Sequence, residues 1–297
     1  MKPAPFEYLA PDSLPAALAA LAERGYDAKL LAGGQSLIPV MNFRLAQPAV
    51  LIDLNRVPGL SGIARERGEL RIGAMTRQRR LEDDALIARH APLLKEAVQF
   101  IAHPQIRNRG TVGGSLAHAD PAAELPALVV ALDARLRLQS VRGERWVSAG
   151  DFFQGLFSTA LEPDEMLTEI AVPAAPSRTG WAFLEVARRH GDYAQMGVAA
   201  RLTLGDDGRC SGARLVFLSA AEKPWPARAA ELLLGVQPGE ALFAAVADAV
   251  HAELSPSGDV HASGEYKRHL ARVLTRRVLR AAAARAETGS ADGAVSG

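Results

Sequence analysis

Apolar residues in the first half of the chain recur at helical spacing in some segments and form short runs in others. Residues 13–24 show the helical spacing, with Ser13 as a candidate N-cap and Gly25 as a stop signal. Similar patterns predict helices at 79–89, 92–101 and 125–133. Short apolar or alternating runs bounded by turn residues predict strands, namely 29–31, 50–54, 70–73, 136–140 and 164–172.

The second half separates strands from helices. Residues 173–180 are rich in proline and small polar residues and predict a boundary. Three strands are predicted after it (181–188, 197–204 and 214–220), with a hairpin turn at 205–212, and then three helices (227–234, 239–254 and 265–285). Strands followed by helices favour an α+β fold over a doubly wound parallel sheet. We therefore expect domains at 1–176 and 177–287, and a disordered tail at 288–297.

Composition narrows the class of protein. The 297 residues are 48% hydrophobic and 23% charged with a net charge of +1, so neither nucleic acid nor an anionic membrane is indicated as a partner. Cys210 is the single cysteine, which excludes an intrachain disulfide and a cluster held by four thiolates. The longest apolar run, 125–132, is far shorter than the about 20 residues of a membrane span. Without a signal-peptide pattern, we expect a cytoplasmic protein.

Two glycine pairs carry the clearest candidate chemistry. The first glycine segment is residues 32–36 (AGGQS) and the second is residues 111–115 (TVGGS). Glycine permits conformations in which successive amides point into one concavity, and such a nest binds phosphate oxygens. The residues alone leave two interpretations open, which are two tight turns or two loops that grip a pyrophosphate.

A dinucleotide-binding Rossmann site does not fit the first segment. The GxGxxG spacing is absent, and Pro39 lies where the phosphate-binding helix should continue. Asp53 is 20 residues after Gly33, about the distance of a ribose-binding acid. We interpret Asp53 instead as a strand-end residue that caps a turn.

Residues 29–41 (KLLAGGQSLIPVM) and 103–126 (HPQIRNRGTVGGSLAHADPAAELP) resemble the two flavin motifs of the FAD-binding medium subunits of molybdenum hydroxylases. This family includes xanthine dehydrogenase-like and aerobic carbon monoxide dehydrogenase-like enzymes, and the similarity runs from about residue 6 to residue 285. The resemblance implies the FAD-binding fold of the vanillyl-alcohol oxidase type, with subdomains at about 1–57 and 58–176, followed by a C-terminal α+β domain.

The resemblance also assigns residues to a non-covalently bound FAD. The two glycine segments would contact mostly its pyrophosphate, through Ala32, Gly33, Gly34, Gln35, Ser36, Thr111, Val112, Gly113, Gly114 and Ser115. Lys29 would contact the adenosine half and Asp120 the ribityl or ribose region. Tyr193, in a family segment at 188–194, would neighbour the isoalloxazine ring. No catalytic acid or base and no metal ligand is assigned to this chain.

The implied function is electron transfer within a heteromeric oxidoreductase. A large subunit would hold a molybdenum–pterin cofactor, and a small subunit would relay electrons through two two-iron two-sulfur clusters to the FAD. We expect a dimer of heterotrimers, which partners could hold at the inner face of the membrane. Two alternatives stay open, which are a self-sufficient FAD-dependent oxidoreductase of the same fold and a non-catalytic flavoprotein scaffold.

Several further side chains have competing interpretations. Arg107 and Arg109 are either phosphate ligands or part of a solvated face. The stripe formed by Arg268, Arg272, Arg276 and Arg280 is either a solvated helix face or a docking face. Gln35 stands where carbon monoxide dehydrogenase-like medium subunits tend to carry histidine, and this departure favours a heteroaromatic or aldehyde hydroxylase.

Overall fold

The computed structural model describes residues 2–288. The tail predicted at 288–297 therefore lies outside the described residues, apart from Thr288. Within residues 2–288, no helix combines the length and the apolar character that a bilayer crossing requires.

The N-terminal part is a small parallel sheet with two helices. Strand β3 lies between β1 and β2 and is parallel to both. Helix α1 packs against this sheet through Ala17, Leu18 and Leu21, which are its buried residues. The elements are β1 (Glu7–Leu9), α1 (Leu14–Arg24), β2 (Ala28–Leu31), α2 (Leu37–Asn42) and β3 (Val50–Asp53).

A five-stranded antiparallel sheet with seven helices follows, in the strand order β4-β5-β10-β6-β7. Helix α8 is buried around almost its whole circumference and belongs to the core of this part. Strands β8 and β9 form a separate hairpin. The elements are β4 (Ile63–Glu66), β5 (Glu69–Gly73), α3 (Arg80–Asp83), α4 (Ala85–His90), α5 (Pro92–Val98), α6 (Pro104–Arg107), α7 (Val112–His118), α8 (Glu124–Ala131), β6 (Arg135–Ser140), β7 (Gly143–Ser148), α9 (Ala149–Phe152), β8 (Phe153–Gly155), β9 (Ser158–Thr159) and β10 (Met166–Val172).

The C-terminal part is a four-stranded antiparallel sheet in chain order, covered by two long helices. Helix α11 lies against β11 and β12, and α10 packs on α11. Gly180 permits the close approach, because a Cβ there would lie 2.6 Å from the amide nitrogen of Ala286 in α11. The elements are β11 (Thr179–Ala187), β12 (Ala194–Leu204), β13 (Cys210–Leu218), β14 (Trp225–Pro226), α10 (Glu240–Glu253) and α11 (Gly264–Glu287).

The C-terminal sheet is fastened to the preceding helices by shared packing and ion pairs. Phe183 on β11 packs edge-on against Phe100, with ring centroids 5.3 Å apart. The Glu96 carboxylate accepts a hydrogen bond from the Phe183 amide at 3.0 Å and another from Arg285 of α11 at 2.6 Å. Asp133, after α8, pairs with Arg201 and with Arg214 on the sheet.

Most predicted helices and strands are confirmed, and several details are wrong. The helix predicted at 79–89 is broken, because Asp84 ends α3 and caps α4 by accepting from the Leu86 amide at 2.9 Å. The segment at 227–234 forms a 3-10 helix rather than an α-helix. Cys210 is not in the hairpin turn but is the buried first residue of β13. The domain division at 176/177 stays a prediction.

Candidate functional site

The first glycine segment connects β2 to α2 and lies at the wall of a cavity of about 470 Å³. Gly34 has a φ of +74°, a conformation that glycine adopts without strain and other residues disfavour. Pro39 lies within α2, which corrects the expectation that it prevents a helix here; in the first turn its missing amide costs nothing. The cavity is lined by Leu31, Ala32, Gly33, Gly34, Gln35, Ile38, Pro39, Asp53, Asn55 and Arg109.

Backbone amides of the first segment are free to bind a ligand. Among the hydrogen bonds of the described residues, none uses the amides of residues 33–36 as donors. The carbonyls are held instead, because the Asn55 side-chain amide donates to the Ala32 carbonyl at 3.0 Å and the Gln35 side chain donates to the Gly33 carbonyl at 3.3 Å. Unpartnered amides at a cavity are a donor set that binds phosphate oxygens.

The second glycine segment is not the glycine loop that its composition predicts. Thr111 is the N-cap of α7, and its hydroxyl oxygen accepts from the Gly114 amide at 3.1 Å. The amides of Val112 and Gly113 donate to the carbonyls of Thr76 and Ala74, at 2.9 and 2.8 Å. The first amides of this helix are thus already paired within the chain, which leaves hydroxyl hydrogens as its donors.

Glycine has a packing role in the second segment. A Cβ on Gly113 would lie 2.5 Å from the Ala74 Cβ, so this residue faces the core rather than a ligand. A Cβ on Gly114 would lie 2.6 Å from the Thr111 hydroxyl oxygen and 3.3 Å from the Ala32 Cβ. Only Gly114 of this pair therefore borders the first segment.

The two segments, almost 80 residues apart in sequence, lie against each other. A Cβ on Gly33 would lie 2.8 Å from the Gly110 Cα, so only glycine permits this contact. Arg77 ties the two sides together, since one of its nitrogens donates to the Asn55 side-chain oxygen at 2.6 Å and another donates to the Arg109 carbonyl. The fold thus brings together the two segments that sequence analysis singled out.

Asn55 and Arg77 are functional candidates that the sequence interpretation missed. Tyr8 donates to one carboxylate oxygen of Asp53 at 2.5 Å, and the other oxygen accepts from the Asn55 amide at 2.9 Å. The expectation that Asp53 caps a turn is confirmed, and the turn positions Asn55 beneath the first segment. A polar residue directly after a predicted strand is the one signal that could have identified Asn55.

Several predicted site residues lie outside this cavity lining, namely Ser36, residues 111–115, Lys29, Asp120 and Tyr193. Lys29 is exposed on β2. Asp120 accepts from the Ala122 amide at 2.9 Å before α8. Tyr193 is 66% exposed, and the pKa of its phenol is raised by partial burial of the hydroxyl and by the carboxylates of Asp120 and Glu124. Asp120 and Tyr193, 73 residues apart, are thereby brought together.

The segment that carries Tyr193 rests on the preceding part of the chain. Gly191 lies against His103, because a Cβ there would be 2.8 Å from the ring Nδ1. The rings of His103 and His190 are 6.5 Å apart. Within residues 2–288, no three His, Cys, Asp or Glu side chains are grouped so as to hold a metal ion.

Apart from Arg109, the arginines with competing interpretations have internal partners. Arg107 is buried, and it donates to Glu82 at 2.6 Å and to the Ile101 carbonyl at 2.7 Å, so it is a structural residue and not a phosphate ligand. Arg109 lines the cavity. Each arginine of the stripe on α11 meets an acceptor on α10: Arg268 the His251 carbonyl, Arg272 the Asp248 carboxylate, and Arg276 and Arg280 the Glu240 carboxylate.

This geometry fits a pyrophosphate. An anion at the first segment would meet unpartnered amides, and the glycines leave room for its close approach. The fold is α+β, and the unpartnered amides of the first glycine segment lie at a cavity where a phosphate-containing group fits.

Comparisons with known proteins identify that group and the family. Residues 4–175 match the model of the FAD binding domain in molybdopterin dehydrogenase, and residues 181–282 match the CO dehydrogenase flavoprotein C-terminal domain. The chain is 44% identical over 287 residues to the 6-hydroxypseudooxynicotine dehydrogenase complex subunit alpha of Paenarthrobacter nicotinovorans, covering 96% of this chain and 97% of that protein.

Solved structures agree in fold over the same length. A carbon monoxide dehydrogenase from Hydrogenophaga pseudoflava that lacks the Mo-pyranopterin moiety contains a chain with a TM-score of 0.93 and 43% identity, covering 96% of this chain and 99% of that one. A chain of quinoline 2-oxidoreductase from Pseudomonas putida 86 matches with a TM-score of 0.91 and 40% identity. The match covers 96% of this chain and 99% of that one. The chain belongs to the FAD-binding medium subunits of the molybdenum hydroxylases, as the sequence resemblance indicated.

Proposed function

We propose that the first glycine segment holds the FAD pyrophosphate through its free amides, while the second segment contributes the hydroxyls of Thr111 and Ser115. The unpartnered amides of residues 33–36 carry this proposal. Thr111 already accepts from the Gly114 amide, so its hydroxyl hydrogen is the part that can bind a phosphate oxygen. Gln35 and Ser36 would complete the contacts at the entrance to α2.

In this proposal the adenosine and flavin ends of FAD extend in opposite directions from the pyrophosphate at the first glycine segment. Lys29, exposed on β2, would contact the adenosine half. Asp120 would bind in the ribityl region, and the exposed ring of Tyr193 would pack on the isoalloxazine. The proximity of Tyr193 to Asp120 supports a common binding region for these two side chains. Residues 1–176 would form the FAD-binding domain and residues 177–287 the C-terminal domain.

Within a complex, this chain would receive electrons from a small iron–sulfur subunit and pass them to a terminal acceptor. FAD supplies the redox chemistry, and the chain binds and orients it. A large molybdenum–pterin subunit would oxidise the organic substrate. We propose a dimer of such heterotrimers in the cytoplasm. One cysteine cannot hold the iron–sulfur relay, so the relay belongs to a partner.

Anaerobic flavin absorbance tests this division of labour. The purified chain should be yellow and reducible by dithionite, and it should stay oxidised when a heteroaromatic or aldehyde substrate is added. Addition of both partner subunits should restore substrate-driven bleaching of the flavin band. Bleaching of the isolated chain by substrate would favour a self-sufficient oxidoreductase instead.

The flavin should be bound without a covalent link. Neither glycine segment contains the histidine or cysteine that would form one. Acid precipitation should therefore leave the yellow chromophore in the supernatant, whereas a yellow pellet would contradict the proposal.

A further inference from the structure

Ser219, directly after β13, is hydrogen-bonded to two segments that are distant from it and from each other in sequence. Its amide donates to the Pro121 carbonyl at 2.8 Å, and its hydroxyl donates to the Ala194 carbonyl at 2.6 Å. Pro121 follows Asp120, and Ala194 follows Tyr193. One half-buried residue thus joins the two segments that carry the side chains assigned to the flavin end of FAD.

The backbone of Ser219 adopts a conformation that favours glycine. Its φ is +58°, in the left-handed region, where a Cβ is disfavoured. A glycine would reach the same φ with less strain, but it would lack the hydroxyl that bonds to the Ala194 carbonyl. Strained residues of this kind concentrate at ligand sites, where the surrounding structure holds them in place.

The segment of Tyr193 is held on both sides of its exposed ring. Before the ring, Gly191 lies against His103, because a Cβ there would be 2.6 Å from the ring Cε1. After the ring, Ala194 is buried, and its carbonyl accepts the hydrogen bond from the Ser219 hydroxyl. The aromatic face is therefore presented to a ligand in a preset position, which lowers the ordering cost of binding.

The segment of Asp120 is a turn with hydrogen bonds of its own. The carboxylate Oδ1 accepts from the Ala122 amide at 2.9 Å, and the Asp120 carbonyl accepts from the Ala123 amide at 3.1 Å. The bond from the Ser219 amide ties this turn to the C-terminal sheet. Because that bond belongs to the main chain, a substitution that removes the Ser219 hydroxyl would release only the segment of Tyr193.

We propose that Ser219 is a positioning residue for the flavin, which sets the place of the Tyr193 ring relative to Asp120. This inference rests on the proposed function, which assigns both side chains to the flavin end of FAD. The hydroxyl acts on the ring through the Ala194 carbonyl. Removal of the hydroxyl should let the segment move, so that the ring packs less closely on the isoalloxazine.

Fluorescence of the bound flavin tests this role in the full chain loaded with FAD. A tyrosine ring packed on an isoalloxazine quenches flavin fluorescence, so the fluorescence per bound FAD should rise in Ser219→Ala and in Ser219→Gly. Ser219→Gly relieves the backbone strain and keeps the test decisive where Ser219→Ala folds poorly. Ser211→Ala is the matched control and should keep the native fluorescence. The Ser211 hydroxyl makes the same kind of bond, to the Thr203 carbonyl at 3.3 Å, near the opposite end of β13.

A double variant with Tyr193→Leu separates positioning of the ring from a general loss of structure. Tyr193→Leu alone should raise the fluorescence, and the addition of Ser219→Ala should change it no further. Ser219→Ala should also weaken FAD binding by about fivefold, as expected for one hydrogen bond. Native fluorescence in both Ser219 variants, or an undiminished further rise in the double variant, would overturn the inference. A native chain that binds no FAD, or native fluorescence in Tyr193→Leu, would instead contradict the proposed function on which the inference depends.

Discussion

The two glycine segments are similar in sequence and different in structure. The first (residues 32–36) holds its carbonyls through side chains and leaves the amides of residues 33–36 free. The second (residues 111–115) is the start of a helix whose first amides are paired with Thr76, Ala74 and its own N-cap. The same residue types thus build a loop with unpartnered amides in one case and a closed packing element in the other.

The difference lies in what each glycine touches. Gly34 adopts a positive φ, and Gly33 makes a close backbone contact with residue 110. Both glycines therefore determine the backbone path along the cavity wall. Gly113 is required instead because Ala74 fills the space where its side chain would be. A Gly-Gly pair therefore identifies a close backbone approach, and only the hydrogen-bond partners reveal whether the approach serves a ligand or the core.

The largest effect is expected from Gly33→Val. The new side chain would overlap the backbone at residues 109–110 and separate the two segments. Overpacking of this kind destabilises the fold by about 1–3 kcal/mol, and we expect the separation of the segments to weaken FAD binding by roughly 3 kcal/mol, or about a hundredfold. Isothermal titration calorimetry of the flavin-free protein with FAD measures this loss of affinity. Gly150→Ala is the control, because its Cβ would have only one neighbour, at 3.8 Å. Native affinity in Gly33→Val would mean that the segments need not touch.

Gly114→Val should have the next largest effect. Its side chain would displace the Thr111 hydroxyl and press on Ala32, while most of the fold survives. We expect FAD binding to weaken by roughly 1.4 kcal/mol, or about tenfold in affinity. The FAD-to-protein ratio of the purified variant, read from absorbance, checks this loss. Gly113→Ala provides the contrast, since its clash with Ala74 should lower the free energy of unfolding by about 1–3 kcal/mol and affect FAD less. The reverse ranking of the two variants would contradict the assignment of Gly113 to the core.

The contrast between the segments also shows which parts of the structure can be predicted from sequence. Local patterns predicted α1, β2, β3 and three of the four strands of the C-terminal sheet (β11, β12 and β13), because each depends on apolar spacing and turn residues. They missed α7, since glycine disfavours a helix and the helix forms through the Thr111 cap and tertiary contacts. Both glycine segments were found, but the pairing of amides could not be predicted, because the acceptors on residues 74 and 76 are distant in sequence.

Asn55→Ala should weaken FAD binding by a smaller amount. Loss of the hydrogen bond to the Ala32 carbonyl releases the peptide that presents the Gly33 amide. One such bond contributes about 1 kcal/mol, or about fivefold in affinity. Gln47→Ala is the control, because Gln47 makes the same kind of side-chain bond to the Arg44 carbonyl at 3.1 Å, away from the cavity. Equal effects of the two substitutions would remove Asn55 from the site.

Thr111→Val should have the smallest effect on binding and a clear effect on stability. Valine preserves the shape but cannot accept from the Gly114 amide, so the N-cap of α7 is lost at about 1 kcal/mol of unfolding free energy. The phosphate loses one hydroxyl donor, which we expect to weaken FAD binding by about threefold, far less than Gly33→Val. Thr111→Ser should restore both quantities, because it returns the hydroxyl. A loss of affinity in Thr111→Val as large as that in Gly33→Val would mean that the second segment is itself a principal phosphate ligand, and the two segments would then be equivalent.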